Sequence, residues 1–228
     1  MIGLGTCLGA RIPHAASAPP VDPEIVRIPV ENFVAAGGYL DFSTTGSGTT
    51  DPQFSTGQFI GGTGLTTVVF APLFVPQSGY TASSPGVYRS PIGTPNAPLI
   101  PDSPGYPGYS GNFNTVVLTD GLAPSGKTCF NTSQSTLPQV VWFAADVLGV
   151  GLSVGAANSV GAIRVTVLDR NGVSLGSFLN TTTLVYEDFY LVDTGSTPRI
   201  AALQVECYGD DVAGYGVGRV SFTTTPAP

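Results

Sequence analysis

From Glu24 onward the chain is written as short apolar or alternating runs separated by turn residues. In Ile25-Val26-Arg27-Ile28-Pro29-Val30 the apolar positions Val26, Ile28 and Val30 recur with period two, the side-chain period of a strand, and Pro29 marks that strand as an edge or a strand start. Tyr39 to Phe42 forms a short candidate strand, and Leu65 to Phe70 is rich in the β-branched residues that pleated backbone accommodates well. Eight further runs follow at the spacing of a sandwich: Asn114 to Thr119, Gln139 to Ala145, Leu148 to Val154, Ala162 to Leu168, Val173 to Phe178, Thr183 to Leu191, Ile200 to Cys207 and Tyr215 to Thr223. Between two of them Asp169-Arg170-Asn171-Gly172 predicts a hairpin, because Asn-Gly tolerates the positive φ angles of a tight turn. No segment has helical periodicity. The pattern predicts an all-β fold, a two-sheet antiparallel β-sandwich of the jelly-roll type.

Composition sharpens this picture. Gly and Pro supply 30 and 20 of the 228 residues, which breaks helices continually. Residues 72–112 hold nine of the prolines together with Tyr80, Tyr88, Tyr106 and Tyr109, and predict a long excursion in turn and polyproline II conformations. Those four tyrosines are the expected interface or ligand contacts, with a linker as the plainer alternative. The expected organisation is a signal-like or flexible tail over 1–23, one sandwich domain over 24–223 and a C-terminal tail over 224–228. In the first of these, apolar Ile2 to Ala10 and the small triplet Ala16-Ser17-Ala18 have the pattern of an export signal, placing the protein outside the cell or on its surface.

Charge excludes some partners. With a formal net charge of −7 and one lysine, Lys127, the chain has no basic surface to neutralise phosphates, so nucleic acid is not an expected partner. No run of about 20 apolar residues predicts a transmembrane segment. Cys129 and Cys207 match no zinc spacing; a buried disulfide between them is expected, with two buried thiols as the alternative.

Few side chains could carry catalysis. Gly151-Leu152-Ser153-Val154-Gly155 matches the nucleophile-elbow pattern, yet no helix pattern follows and the only histidine, His14, precedes the serine, so it reads as a glycine-relieved strand. Glu187-Asp188 and Asp210-Asp211 are adjacent acids; on a strand such neighbours point to opposite faces and form no dyad. No catalytic residue and no cofactor is expected, apart from a structural Ca²⁺ at Asp210 and Asp211 assisted by Glu31, Asp41 or Asp169, with a polar turn as the alternative.

The stretch from Phe143 to the end, with Ala145 to Leu152, Ile163 to Gly176, Asp188-Phe189-Tyr190 and Tyr215 to Phe222, resembles the β-sandwich domains of exported bacterial PEP-CTERM-type proteins. The resemblance implies a jelly-roll-like, exported, non-enzymatic surface protein. Paired aspartates common in that family before the last strand are replaced here by Gly218 and Arg219, so no metal role carries over. A mean hydropathy of +0.25 with 10% charged residues leaves little to protect exposed strand edges. The expected function is therefore structural or adhesive, by self-assembly into a homo-oligomer, filament or surface layer. The alternatives are a carbohydrate-binding module that takes a surface glycan and a jelly-roll capsid component.

Overall fold

The computed structural model describes residues 24–35, 37–55, 57–61, 67–71, 74–75, 100–101, 115–131, 139–155, 157–207 and 215–224. Among these residues fifteen strands and one 3-10 turn occur, and no α-helix. The first sheet runs in the order β1 (Ile25–Arg27), β13 (Glu187–Asp193), β10 (Gly149–Gly155), β15 (Gly216–Thr223), β8 (Lys127–Asn131) and β7 (Thr115–Thr119), with β2 (Tyr39–Leu40) also bonded to β15. The second runs β12 (Ser174–Leu179), β11 (Ile163–Leu168), β14 (Ile200–Cys207), β9 (Gln139–Val147), β4 (Thr67–Ala71) and β3 (Gln53–Ser55). A separate pair is formed by β5 (Phe74–Val75) and β6 (Ile100–Pro101).

The connectivity is that of a rolled hairpin. Strands β8 and β15, β9 and β14, β10 and β13, and β11 and β12 pair antiparallel, so the chain from Lys127 to Thr223 is one nested hairpin. Pairing of β10 with β15 and of β11 with β14 then splits it into two sheets. This arrangement is the jelly roll predicted from the pattern. Its tip is the turn after β11, where Asp169 Oδ1 accepts the N–H groups of Asn171 and Val173, each at 2.8 Å. Gly172 alone has positive φ, +80°, and the β11–β12 register shifts beside the turn. The hairpin thus closes through a longer loop with a bulge, where a two-residue Asn-Gly turn would need positive φ at both central positions.

Period-two alternation builds the core. Val150, Leu152 and Val154 of β10, Phe189 and Leu191 of β13, and Val220 and Phe222 of β15 face Val165 and Val167 of β11, Leu203 and Val205 of β14, and Val141 and Phe143 of β9, all buried in one cluster. Each such side chain contributes on the order of 1.5–3 kcal/mol. Where the second sheet reads as continuous apolar sequence, as in Val140-Val141-Trp142-Phe143, its outer face is also covered: Ala71, Phe74, Val140, Leu168 and Ala202 form a second cluster against which Trp142 packs. Phe74 of β5 is fully buried there, so the base of the Pro/Tyr-rich excursion is seated on the second sheet.

Two expectations need adjustment. The first strand stops at Arg27, and Val30–Asn32 forms a 3-10 turn after Pro29, whose φ is −61°. Cys129 is a buried free thiol on β8, bonded in register to Val117 and Val217 of the first sheet, in place of half a disulfide. Cys207 ends β14 in the other sheet, opposite Ile163, and its side chain lies outside the described residues. Burial pushes the Cys129 thiol up to about 12.

Candidate functional site

Strand β10 lies between β13 and β15, and its outward positions are Gly149, Gly151 and Ser153, since Val150, Leu152 and Val154 face the core. Register sets three rows across the outer face of the first sheet: Val192, Gly149 and Thr223; Tyr190, Gly151 and Ser221; Asp188, Ser153 and Arg219. Tyr39 of β2 extends the middle row opposite Ser221.

The glycines make room for rings. A Cβ on Gly151 would stand 2.2 Å from Ser221 Oγ and 2.9 Å from both Cδ1 and Cε1 of Tyr190. One on Gly149 would come within 3.2 Å of Phe33 Cε2 and 2.9 Å of Thr223 Cγ2. Tyr190 and Phe33 therefore lie across bare backbone, with centroids 5.1 Å apart and planes tilted by 43°. Phe33 reaches this position because the 3-10 turn folds back, its N–H donating to Val30 O at 3.0 Å.

The rings frame a cleft of about 230 Å³ bounded by Val30, Phe33, Tyr39, Tyr190, Arg219 and Ser221. A neighbouring cleft of about 430 Å³ is lined by Arg27, Ile28, Pro29, Val30, Asp188 and Tyr190, so Val30 and Tyr190 border both. Polar groups meet at the shared wall. Arg219 Nη2 lies 3.5 Å from Tyr190 Oη and 3.9 Å from Asp188 Oδ2, and Tyr190 Oη donates to Asp188 Oδ2 at 3.4 Å. The Arg219 guanidinium also sits 5.8 Å from the centroid of the Tyr39 ring. Bonds this long leave the guanidinium, carboxylate and phenol with unused capacity. Burial, and then the Asp188 charge, raises the Tyr190 phenol, so it stays protonated and able to donate at neutral pH. In the same row Ser153 Oγ is buried with no hydrogen-bond partner.

Arg27 and Glu187 have a different character. The Glu187 carboxylate accepts from Arg27 Nη2 at 2.8 Å, and from the N–H and hydroxyl groups of Thr181 and Thr182 at 2.7–2.9 Å. Burial pushes this acid up, but the Arg27 guanidinium, the N–H groups of Thr182 and Thr181 and the Thr181 hydroxyl prevail and hold it down at about 2. It is a structural anchor for the loop after β12 with no capacity to spare. As expected from strand geometry, Glu187 and Asp188 do not form a dyad: the first is bound into this anchor, and the second lines the cleft.

Ser153 sits within β10, bonded on both sides to β13 and β15, and not on the strand-to-helix turn of a nucleophile elbow. Tyr80, Tyr88, Tyr106 and Tyr109, like Asp210 and Asp211, lie outside the described residues. Two suggested calcium partners are engaged by their own turns: Asp41 Oδ1 accepts from Ser43 N and Oγ, and Asp169 Oδ1 from Asn171 and Val173. Among the described residues no group of three or more His, Cys, Asp or Glu side chains comes together, and no helix is long and apolar enough to cross a membrane.

Sequence reasoning missed Phe33, Tyr39, Asp188, Tyr190, Arg219 and Ser221 as a site. The signal was Gly149 and Gly151 alternating with Val150 and Leu152, beside Asp188 and Tyr190 alternating with Phe189 and Leu191. No family model matches the chain, and no curated protein matches it.

Proposed function

We propose that this chain is an exported, non-catalytic jelly-roll module that binds a neutral carbohydrate on the outer face of its first sheet. The observation that carries the reading is the meeting of aromatic rings with an under-used Arg219, Asp188 and Tyr190 hydroxyl at one cleft. Sugar rings stack their C–H faces on aromatic surfaces while guanidinium, carboxylate and phenol groups take the hydroxyls. The two adjoining clefts, about 230 and 430 Å³, suit more than one sugar residue, since small-molecule sites run from about 300 to 1,000 Å³. Charge favours a neutral ligand, because the chain carries a net −7 and Asp188 stands beside Arg219. The resemblance of residues 143–223 to exported surface domains supports the same location for the module.

Native affinity electrophoresis through gels containing neutral polysaccharides tests this reading. Retardation of the wild-type protein is expected, with much of it lost in Arg219→Ala and Tyr39→Ala, both of which alter partly exposed side chains. Equal retardation of all three proteins, or none of any, would overturn it.

A further inference from the structure

The outer face of the first sheet carries another seated ring, beyond the cleft. Tyr186 immediately precedes β13 and stands on the same side of the sheet as Asp188 and Tyr190, at the strand period of two. Two glycines make its bed. A Cβ on Gly155 of β10 would stand 2.7 Å from Tyr186 Cγ and Cδ2, and one on Gly218 of β15 would stand 3.0 Å from its Cε1 and 3.2 Å from its Cδ1. The ring therefore lies across two neighbouring strands with bare backbone beneath it, as Tyr190 lies over Gly151. Gly218 comes under the ring because it is the extra residue of a bulge. Ser153 pairs with Arg219 and Val154 with Val217, and since Val217 and Val220 both face the core, Gly218 and Arg219 both point outward. The Tyr186 phenol donates to Asp120 Oδ2 at 2.6 Å, which pins the ring, and the residue is only half-buried, so its open side faces away from the sheet. Midway between the two rings, Asp188 and Arg219 flank Ser153 in register, and their side chains approach to 3.9 Å and close over it. Ser153 is 2% exposed, and its Oγ has no hydrogen-bond partner.

We propose, resting on the carbohydrate reading, that Tyr186 is a second stacking platform and that the ligand is a linear, extended polysaccharide lying parallel to β10 across Tyr190, the Asp188 and Arg219 pair, and Tyr186. Spacing sets the length of the ligand. The seats Gly151 and Gly155 are four residues apart on one strand, about 13 Å, which is more than one sugar ring spans. Both seats lie on a single strand, so the ligand stays straight over that distance. The rings are fixed in advance by backbone beneath and, for Tyr186, by Asp120, so little side-chain freedom is lost when a sugar face stacks on them. The middle of the run is polar where a chain of sugars presents hydroxyls. A sugar hydroxyl that parts Asp188 from Arg219 takes bonds from both and gives Ser153 Oγ the partner it lacks.

Affinity gels containing hydroxyethyl cellulose, galactomannan or soluble starch read this inference through Tyr186→Ala, Tyr186→Phe and Arg219→Ala. Retardation of the wild type in an extended polysaccharide is expected, weakened about tenfold in Tyr186→Ala and kept in Tyr186→Phe, which retains the ring. A second measurement needs no variant: a free hexasaccharide of the retarding polysaccharide should displace the wild type at about one-tenth the concentration of its disaccharide or less. Undiminished retardation of Tyr186→Ala while Arg219→Ala loses it, equal loss in Tyr186→Phe and Tyr186→Ala, or a disaccharide as effective as the hexasaccharide would each overturn the second platform and leave the carbohydrate reading standing. Retardation by starch alone, whose chain coils, would overturn the extended ligand. No retardation of the wild type in any gel would overturn the carbohydrate reading and this inference with it.

Discussion

The claim that β10 carries glycine at position 151 to seat the Tyr190 ring makes a quantitative prediction for Gly151→Ala. The new Cβ would stand 2.9 Å from two ring carbons and 2.2 Å from Ser221 Oγ. Carbon atoms rest about 3.5–4.0 Å apart, so the ring edge must lift by about 0.6 Å or more while the serine turns away. Such overpacking costs about 1–3 kcal/mol. Replacing a strand glycine returns about 0.5–1 kcal/mol through reduced chain entropy, which leaves a net loss of about 0–2.5 kcal/mol. Urea denaturation of Gly151→Ala, Tyr190→Ala and the double variant isolates the contact. Tyr190→Ala alone should cost about 2–3 kcal/mol, since the residue is only 8% exposed. The double variant should be less destabilised than the sum of the singles, with a coupling of about 1–3 kcal/mol, because alanine at 151 then meets no ring. A Gly151→Ala protein as stable as wild type, with losses that simply add in the double variant, would refute the ring-seat argument.

Two further predictions concern buried groups. The pKa of Glu187 falls from an ordinary 4.5 to about 2 on folding, so its stabilisation is complete above about pH 4.5 and is lost as pH falls towards 2. That contribution is about 3 kcal/mol for a side chain 8% exposed, and urea midpoints measured from pH 7 to 2 should show Glu187→Gln destabilised at neutral pH with a flatter acid limb; parallel profiles would contradict the anchor. The Cys129 thiol, fully buried and pushed up to about 12, should resist alkylation in the native protein and react at once in denaturant, whereas rapid native labelling would place it at the surface.

How much of this was legible before the structure follows from what periodicity encodes. Alternation tells which residues of a strand share a face, and all eight runs from Asn114 onward correspond to strands, the one expected over Thr183 to Leu191 shifting to Glu187–Asp193. The shift has a cause: Thr181 and Thr182 are consumed in binding the Glu187 carboxylate, and Leu184 stands at a φ of +60°, which no strand admits. Strand β8 was missed because Lys127-Thr128-Cys129-Phe130-Asn131 has no clean alternation and owes its form to its bonds with β7 and β15. The site was less legible than the fold for the same reason. Tyr190, Gly151, Ser221 and Tyr39 are brought into one row by pairing among four strands, and single-strand periodicity does not say which strands are neighbours. Attention to loop tyrosines and adjacent acids followed local composition, whereas the cleft is assembled from positions far apart in sequence.

Backbone amide NMR of the full chain, titrated with a soluble oligosaccharide of the polysaccharide that retards it, tests the central claim most directly. The account predicts saturable shifts concentrated at Gly149, Gly151, Tyr190, Arg219 and Ser221, on the outer face of the first sheet. Saturable shifts confined to other surfaces, with these five amides unmoved, would contradict it.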